Sequence, residues 1–564
     1  MKKKLKPLPM GKEAVKKAVT WIKQNKKPFI SIFLLSLVLL YSTILKFYLV
    51  KGAMPYPGHV DEQYITDPAI RILKTGDFNP HRFTYPTLPL YITTAAMSMG
   101  YMLAASHLEL INTAEIGSSC FPYYTHSKVV LPAKFLLAIL SVVAALFMGI
   151  MAFQIFENYY LLFFVPLVIS LSDIYFRNSH KYLNVDMVGT FFIVTLYFYL
   201  FYFFKKDTNL NKAVIPGFLC GLVIACKYSL FFIVIPPILT VLFFSKKQRI
   251  YRISLIFCFM FLGFFLAVPY SLLDFSTFLN DIGNMVYHYK SGHQGFEGIP
   301  GIPQLVYYLK VLTGDFGYWT VFFAAVGLIT AAVKTWKKTL VLLSFPLSLL
   351  IYMSLQKVHF IRNILSLYVF YALFAAIGVL GLYEFLRKIL ERSRISIFLK
   401  KPKNRILTSI LLVAILFVIC FPVLRPIQWA GIKPDSRNLA VKWIKKNIGT
   451  GSVLIVPDEL CLYTGHLEKD YKVVRTEFGK LEWDKFFQDL KPSGQVHVLM
   501  PQFSFERRRP QGEKLADRLN ELHKKIEVIK LFPGKVVLIN SSIPVPEGNP
   551  TCSLGRVKYQ ESVR

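Results

Sequence analysis

Apolar residues run in long blocks along most of this chain, broken by short basic tracts, and only the last quarter mixes polar and apolar positions finely. The blocks fall near residues 28–50, 88–105, 131–153, 159–176, 187–204, 215–227, 229–244, 253–272, 319–333, 339–355, 364–386 and 406–424. Roughly 17 to 25 apolar residues are needed to cross a bilayer core. The pattern therefore predicts an all-α polytopic membrane protein with about 11–13 transmembrane helices. Beyond residue 425, short β-type runs at 452–456, 471–475, 496–500, 526–531 and 535–539 alternate with helical patterns near 438–446, 482–490 and 514–524. That alternation predicts a small α/β domain. The expected division is a basic arm over 1–27, a transmembrane domain over 28–424 with loops near 51–87 and 273–318, and the α/β domain over 425–564.

Charge orients this plan. Lys and Arg number 66 against 33 Asp and Glu, a formal net charge of +33. The excess lies mostly in short tracts between apolar blocks, where it is better read as a positive-inside signal than as a nucleic-acid surface. Those tracts are Lys205, Lys206 and Lys212, then Lys246, Lys247, Arg249 and Arg252, then Lys334, Lys337 and Lys338, and finally 387–405. The lysine-rich start has no small-residue cleavage site after a short apolar core, so it is expected to be a retained cytoplasmic arm. With the N-terminus cytoplasmic, Asp61, Asp186 and the C-terminal domain are expected outside the cell membrane. The three blocks between the two acids cannot then all cross. Block 88–105, flanked by Pro86 and containing Pro89, is the first candidate for an interfacial or re-entrant segment. The seven cysteines show no CxxC spacing; Cys461 and Cys552 both fall in the outward domain and are candidates to pair.

Carboxylates at membrane boundaries are costly unless solvated, paired or used. Asp61 and Glu62 follow the first block, and Asp186 opens a later one. The plain alternative is loop acids without chemistry. The segment after Asp61 has near-helical apolar spacing and stops at GDFNP, which predicts a short amphipathic helix on the membrane surface. In the stretch MPYPGHVDEQYITDPAIRILKTGDFNPHRFTYPTLPLYI, the acidic pair, the GDFNPH element and YPTLPLY resemble the C-type superfamily of membrane glycosyltransferases. The branch resembled contains protein O-mannosyltransferases and lipid A aminoarabinose transferases. FRNSHKYLNVDMVGTFF, GFLCGLVIACKYSLFFIVIPP, YHYKSGHQGF and KVHFIRNILSLYVFYALFAAIG extend the resemblance over roughly residues 28–386.

The resemblance implies transfer of a hexosyl or pentosyl unit from a polyprenyl-phosphate donor to a glycan, lipid or protein hydroxyl of the cell envelope, with inversion. By position Asp61 matches the general base, with Glu62 as the fallback or as a partner in the work. Asp186 is expected to hold a divalent metal, orient the acceptor or pair with Arg177. Magnesium or manganese would suit hard oxygen ligands on Asp61 or Asp186, and His59, His81 and His180 leave zinc open, although no ligand spacing is diagnostic. Positive donors for the leaving phosphate are sought in Arg362, Lys227, His359 and Lys357, against the alternative of residues that anchor helix ends. Tyr287, His288, Lys290, His293 and Gln294, among flanking glycines, are candidates to cover the substrate. A secondary transporter or lipid flippase is the rival class. Transporters show paired repeats and helices broken at mid-membrane, whereas here no second copy of the acidic loop exists and the acids sit at block ends.

Overall fold

An apolar segment in lipid must satisfy its own backbone polar groups, and an α-helix does so within the segment. The structure is a computed structural model describing residues 26–120, 123–203, 211–293, 296–392, 435–458, 462–476, 495–502, 526–532, 537–538, 546–547 and 551–557. Its helices are α1 (Lys26–Ala53), α2 (Gln63–Thr75), α3 (Leu88–Ser106), α4 (Ser127–Phe156), α5 (Leu161–Leu171) and α6 (Asp173–Asn178). They continue as α7 (Val185–Phe203), α8 (Asn211–Ile224), α9 (Ile235–Phe244), α10 (Arg249–Ala267), α11 (Tyr270–Leu273) and α12 (Phe275–Ser291). The last four are α13 (Ile302–Phe316), α14 (Tyr318–Ser354), α15 (Leu365–Arg392) and α16 (Ser436–Asn447). Among the described residues seven helical segments are long and apolar enough to cross a membrane, and three more are apolar but shorter. This is a multi-pass membrane protein. The basic arm up to residue 25, block 406–424, the patterns at 482–490 and 514–524, Gln294 and Cys461 lie outside the described residues, as does the side chain of Cys552.

Two features differ from the sequence pattern for physical reasons. Block 88–105 forms α3, a 19-residue helix meeting the length and apolarity of a span. Pro89 falls in its first turn, where the missing N–H leaves no hydrogen bond unmade. Block 159–176 is divided at Ser172 into α5, whose 11 residues rise only about 17 Å against a core of about 30 Å, and α6. Blocks 319–333 and 339–355 are continuous in α14, and the corner between them falls at Thr335, with φ −151° and ψ 57°.

The chain packs as two compact units. One comprises Met1–Leu45, Ile139–Phe176 and Asp186–Arg425; the other comprises Lys46–Ala138, Arg177–Val185 and Pro426–Arg564. In the first, helices meet at glycines. An added Cβ at Gly327 of α14 would stand 1.8 Å from the Phe374 carbonyl oxygen of α15, and one at Gly378 would stand 1.8 Å from the Phe323 oxygen. Gly221 of α8 lies under α10 in the same way, since a Cβ added there would stand 2.3 Å from the Met260 oxygen. Without a hydrophobic drive between helices in lipid, such small-residue crossings supply the packing.

The second unit holds α2, α3 and the α/β domain. The strands are β1 (Val453–Pro457), β2 (Lys472–Thr476), β3 (Val496–Gln502), β4 (Ile526–Phe532), β5 (Val537–Leu538), β6 (Pro546–Glu547) and β7 (Thr551–Val557). Five of them form a sheet in the order β2-β1-β3-β7-β4, parallel across β2-β1-β3 and antiparallel at β7, while β5 and β6 pair separately. Leu454, Val456 and Leu499 pack with Ala440 and Ile444 of α16 into one core. Tyr56, from the segment after α1, is buried in that core beneath Arg437, whose guanidinium carbon is 3.5 Å from the ring centroid. Asn438 donates to the carbonyls of Gly52 and Met54 at 3.0 and 2.8 Å. The α/β domain thus braces the stretch that leads into Asp61.

Candidate active site

Asp61 and Glu62 lie on one turn of 3₁₀ helix, Val60–Glu62, that runs into α2. Adjacent residues on so tight a turn point apart, and the environments of the two acids differ accordingly. Glu62 is completely buried. It accepts from the Gly58 N–H at 2.8 Å and the Leu183 N–H at 3.2 Å, and it pairs with Lys134 of α4 at 3.0 Å. Gly58 permits this because its backbone presses on Lys181, where an added Cβ would stand 2.1 Å from the carbonyl oxygen. Asp61 keeps 23 % of its side-chain surface. Its N–H donates to His59 Nδ1 at 3.0 Å, so that nitrogen is an acceptor, and the His59 ring stacks on Tyr182 at 4.8 Å. One carboxylate is a buried brace, and its neighbour keeps part of its surface exposed.

Asp186 opens α7 in the other unit and is also buried. Lys227, at the break between α8 and the following 3₁₀ turn, reaches Asp186 Oδ1 at 2.6 Å and Asn363 Oδ1 at 2.8 Å. Arg362 stands farther off, its Nε 3.9 Å from Asp186 Oδ2, with its guanidinium carbon 5.3 Å from the centre of the Phe360 ring. Tyr289 of α12 donates to Asn363 Oδ1 at 3.3 Å, and burial pushes its phenol well above its ordinary value. The sequence pattern singles out Asp186, Lys227 and Arg362 but not Tyr289 or Asn363. Neither of the latter is charged, and each matters only through partners far along the chain.

The other candidates fall around this cluster. Residues 296–298 lie alongside 357–359: Gly298 N–H donates to the Lys357 carbonyl at 2.7 Å and His359 N–H to the Phe296 carbonyl at 3.1 Å. Lys357 pairs with Glu297 at 3.7 Å at the surface. His359 stacks on Tyr307 at 4.4 Å, and desolvation lowers its pKa. His293 touches the Phe360 ring at 5.2 Å and the His288 ring at 5.3 Å, and His288 is likewise lowered by desolvation and by His293. Tyr287 and Lys290 are exposed on α12.

Asp186 does not fit a metal as placed, because its nearest neighbours are an ammonium and a guanidinium, which repel a divalent ion. Asp61 with His59 offers two donors, and among the described residues no group of three His, Cys, Asp or Glu side chains forms a ligand set. His81 is taken up by Asp77 at 2.7 Å and His180 is buried.

No family model and no curated protein matches the chain. Among solved structures, apo ArnT from Cupriavidus metallidurans aligns with a TM-score of 0.48 at 11% identity, over 92% of this chain and 97% of that one. ArnT bound to undecaprenyl phosphate gives the same values. The Archaeoglobus fulgidus oligosaccharyltransferase in complex with zinc and sulfate aligns with a TM-score of 0.43 at 12% identity, over 82% of this chain and 67% of that one.

Proposed function

We propose that this protein is a membrane glycosyltransferase, moving a sugar from a polyprenyl-phosphate carrier to an acceptor hydroxyl at the outer face of the cell membrane. The observation that carries the reading is the split within the acidic pair. Glu62, with both oxygens engaged, fixes the turn, and Asp61 beside it stays accessible as a proton acceptor. Glycosyl transfer needs such a group. As the acceptor oxygen attacks the anomeric carbon, its proton passes to Asp61, and the bond from that carbon to the phosphate oxygen breaks with inversion.

The departing phosphate gathers negative charge, which fixed donors stabilise in a site of low dielectric. Arg362 is assigned that role. It is held less closely by Asp186 than Lys227 is, so a phosphate can compete for it. Lys227 and Asp186 then set the position of Asn363 and Arg362, while His359 and Lys357 add donors from the same paired segment. His288, His293, Tyr287, Lys290 and Gln294 are assigned to covering the sugar or the acceptor.

The test uses the full chain in sealed proteoliposomes with radiolabelled polyprenyl-phosphate sugars and mixed glycan acceptors. Label is expected to move to the acceptor with the native chain and not with Asp61→Asn. Carrier that crosses the membrane without loss of its sugar would instead establish a flippase and overturn the reading.

A further inference from the structure

At the buried Ser172, where α5 ends, a new helix has to begin with its first N–H groups unmatched. Two side chains match them. Ser172 Oγ accepts from the Tyr175 N–H at 3.0 Å, the bond an N-cap serine makes. The Ile174 N–H donates to Asp315 Oδ1 at 3.1 Å, and Ser172 Oγ donates to Asp315 Oδ2. Asp315 belongs to α13 and lies 143 positions beyond Ser172.

Asp315 is badly placed for its own helix. It stands in the last turn of α13, where the carbonyl ends disfavour a negative charge, and its partners here are a hydroxyl and a backbone N–H. The same charge is favourable at the first turn of α6. A residue that offends its own element and suits another is accounted for by the contact between the two.

Both helices lead to the cluster around Asp186. The helix α6 is the one that precedes Asp186 in the chain. Along its buried side α13 carries Gln304, Tyr308, Leu312 and Phe316 at helical spacing. Gln304 Nε2 donates to the Val358 carbonyl at 3.3 Å, Tyr307 stacks on His359 at 4.4 Å, and the buried Tyr308 hydroxyl lies against Asn363 and Gln304. Asn363 accepts from Lys227, and Arg362 is its neighbour in the chain.

We infer that Asp315 is a positioning residue for the donor phosphate: its tie to Ser172 and Ile174 fixes α13, and α13, through Gln304, Tyr307 and Tyr308, fixes the 358–363 segment that carries Arg362. The inference rests on the glycosyltransferase reading for the phosphate, but not for the tie. Without Asp315 the Ile174 N–H and the Ser172 hydroxyl lose their acceptor, so the start of α6 and the end of α13 part and Arg362 loses its fixed place.

The test uses the full chain in lipid nanodiscs. Amide hydrogen exchange over 357–363, where the His359 N–H is bonded to the Phe296 carbonyl, is expected to quicken in Asp315→Ala and in Ser172→Ala. It should stay native in Thr313→Ala, a change on the same helix at a hydroxyl that bonds back to Leu309. Binding of undecaprenyl phosphate is expected to weaken about three- to thirtyfold in Asp315→Ala, and less in Asp315→Asn, which keeps an acceptor for Ile174. The decisive comparison adds Asp315→Ala to Arg362→Ala. If Asp315 acts through Arg362 the second change weakens binding little further, whereas an equal fold loss in both backgrounds shows a merely structural role and overturns the inference. Where Asp315→Ala does not fold, Ser172→Ala takes its place in the cycle. Native affinity in the tie variants, or native exchange over 357–363 in them, also overturns it. A native chain that binds no polyprenyl phosphate sinks the donor of the proposed function, and quickened exchange in the tie variants then still supports the positioning of 357–363, so the two failures are told apart.

Discussion

Asp61 and Glu62 are neighbours with opposite fates, and each fate is testable by one substitution. Asp61→Asn keeps size and most hydrogen bonding but removes the proton acceptor, and turnover is expected to fall about 100- to 10,000-fold with unchanged expression. Near-normal turnover would remove Asp61 from the mechanism. Glu62→Gln is expected to act through stability. Removing one partner of a buried ion pair strands the other, here Lys134, at about 3–5 kcal/mol. Glu62→Gln with Lys134→Met should recover much of that loss in a thermal melt, and a double variant as unstable as the sum of the two singles would show that the pair is not coupled. Arg362→Lys keeps the charge but loses the two-pronged donor, so the donor KM is expected to rise, and more so in Arg362→Ala. Unchanged donor kinetics in both would make Arg362 a helix-end anchor. The acids were visible in the sequence because carboxylates at block ends are rare. That Glu62 would be a brace was not visible, since its partner lies 72 positions away. A signal did exist in Lys134, a lysine inside an apolar block, where an unpaired charge is too costly to leave without a partner.

At the scale of elements, period and length carried most of the fold, and local backbone geometry carried the rest. Among the described residues the apolar blocks lie mainly in helices whose ends depart from the blocks by as many as six residues, and alternating runs became strands β1 to β4 within two residues of the expected bounds. Strand β7 was not anticipated, because Ser553 and Gly555 interrupt any β-type run and its place between β3 and β4 is set by partners from elsewhere in the chain. The corner at Thr335 was equally hidden, since nothing in a threonine among lysines marks a break in helical geometry. The contact of α14 with α15 makes a sharp prediction. Gly327→Ala puts a methyl where the Phe374 carbonyl oxygen already stands, so the helices must separate along their length. The variant is expected to give a lower melting temperature and poorer yield in detergent, whereas Gly283→Ala, with open space around its added methyl, should melt like the native chain or slightly above it. If the two variants melt alike, the crossing does not depend on backbone contact.

For the whole molecule, the largest expectation concerns which side of the membrane each part faces. Short basic tracts separate several of the apolar blocks, which is the distribution that holds loops on the cytoplasmic side. The polyprenyl carrier's phosphate and first sugar ride at the headgroup level while its tail stays in the bilayer, so the proposed chemistry needs Asp61 at a boundary and not at mid-membrane. The seven span-like helices fit such a chain but do not by themselves orient it. Single cysteines placed near Lys12 and near Ser504, in a background lacking the seven native cysteines, are expected to react differently with a membrane-impermeant maleimide. The second should label in intact cells and the first only after the membrane is opened. A third cysteine beside Asp61, at Gln63, should follow the second. Labelling of the Lys12 and Ser504 sites from one side would place an odd number of crossings wrongly, put the α/β domain and the acidic pair on faces other than those proposed, and remove the outer-face donor from the proposed function.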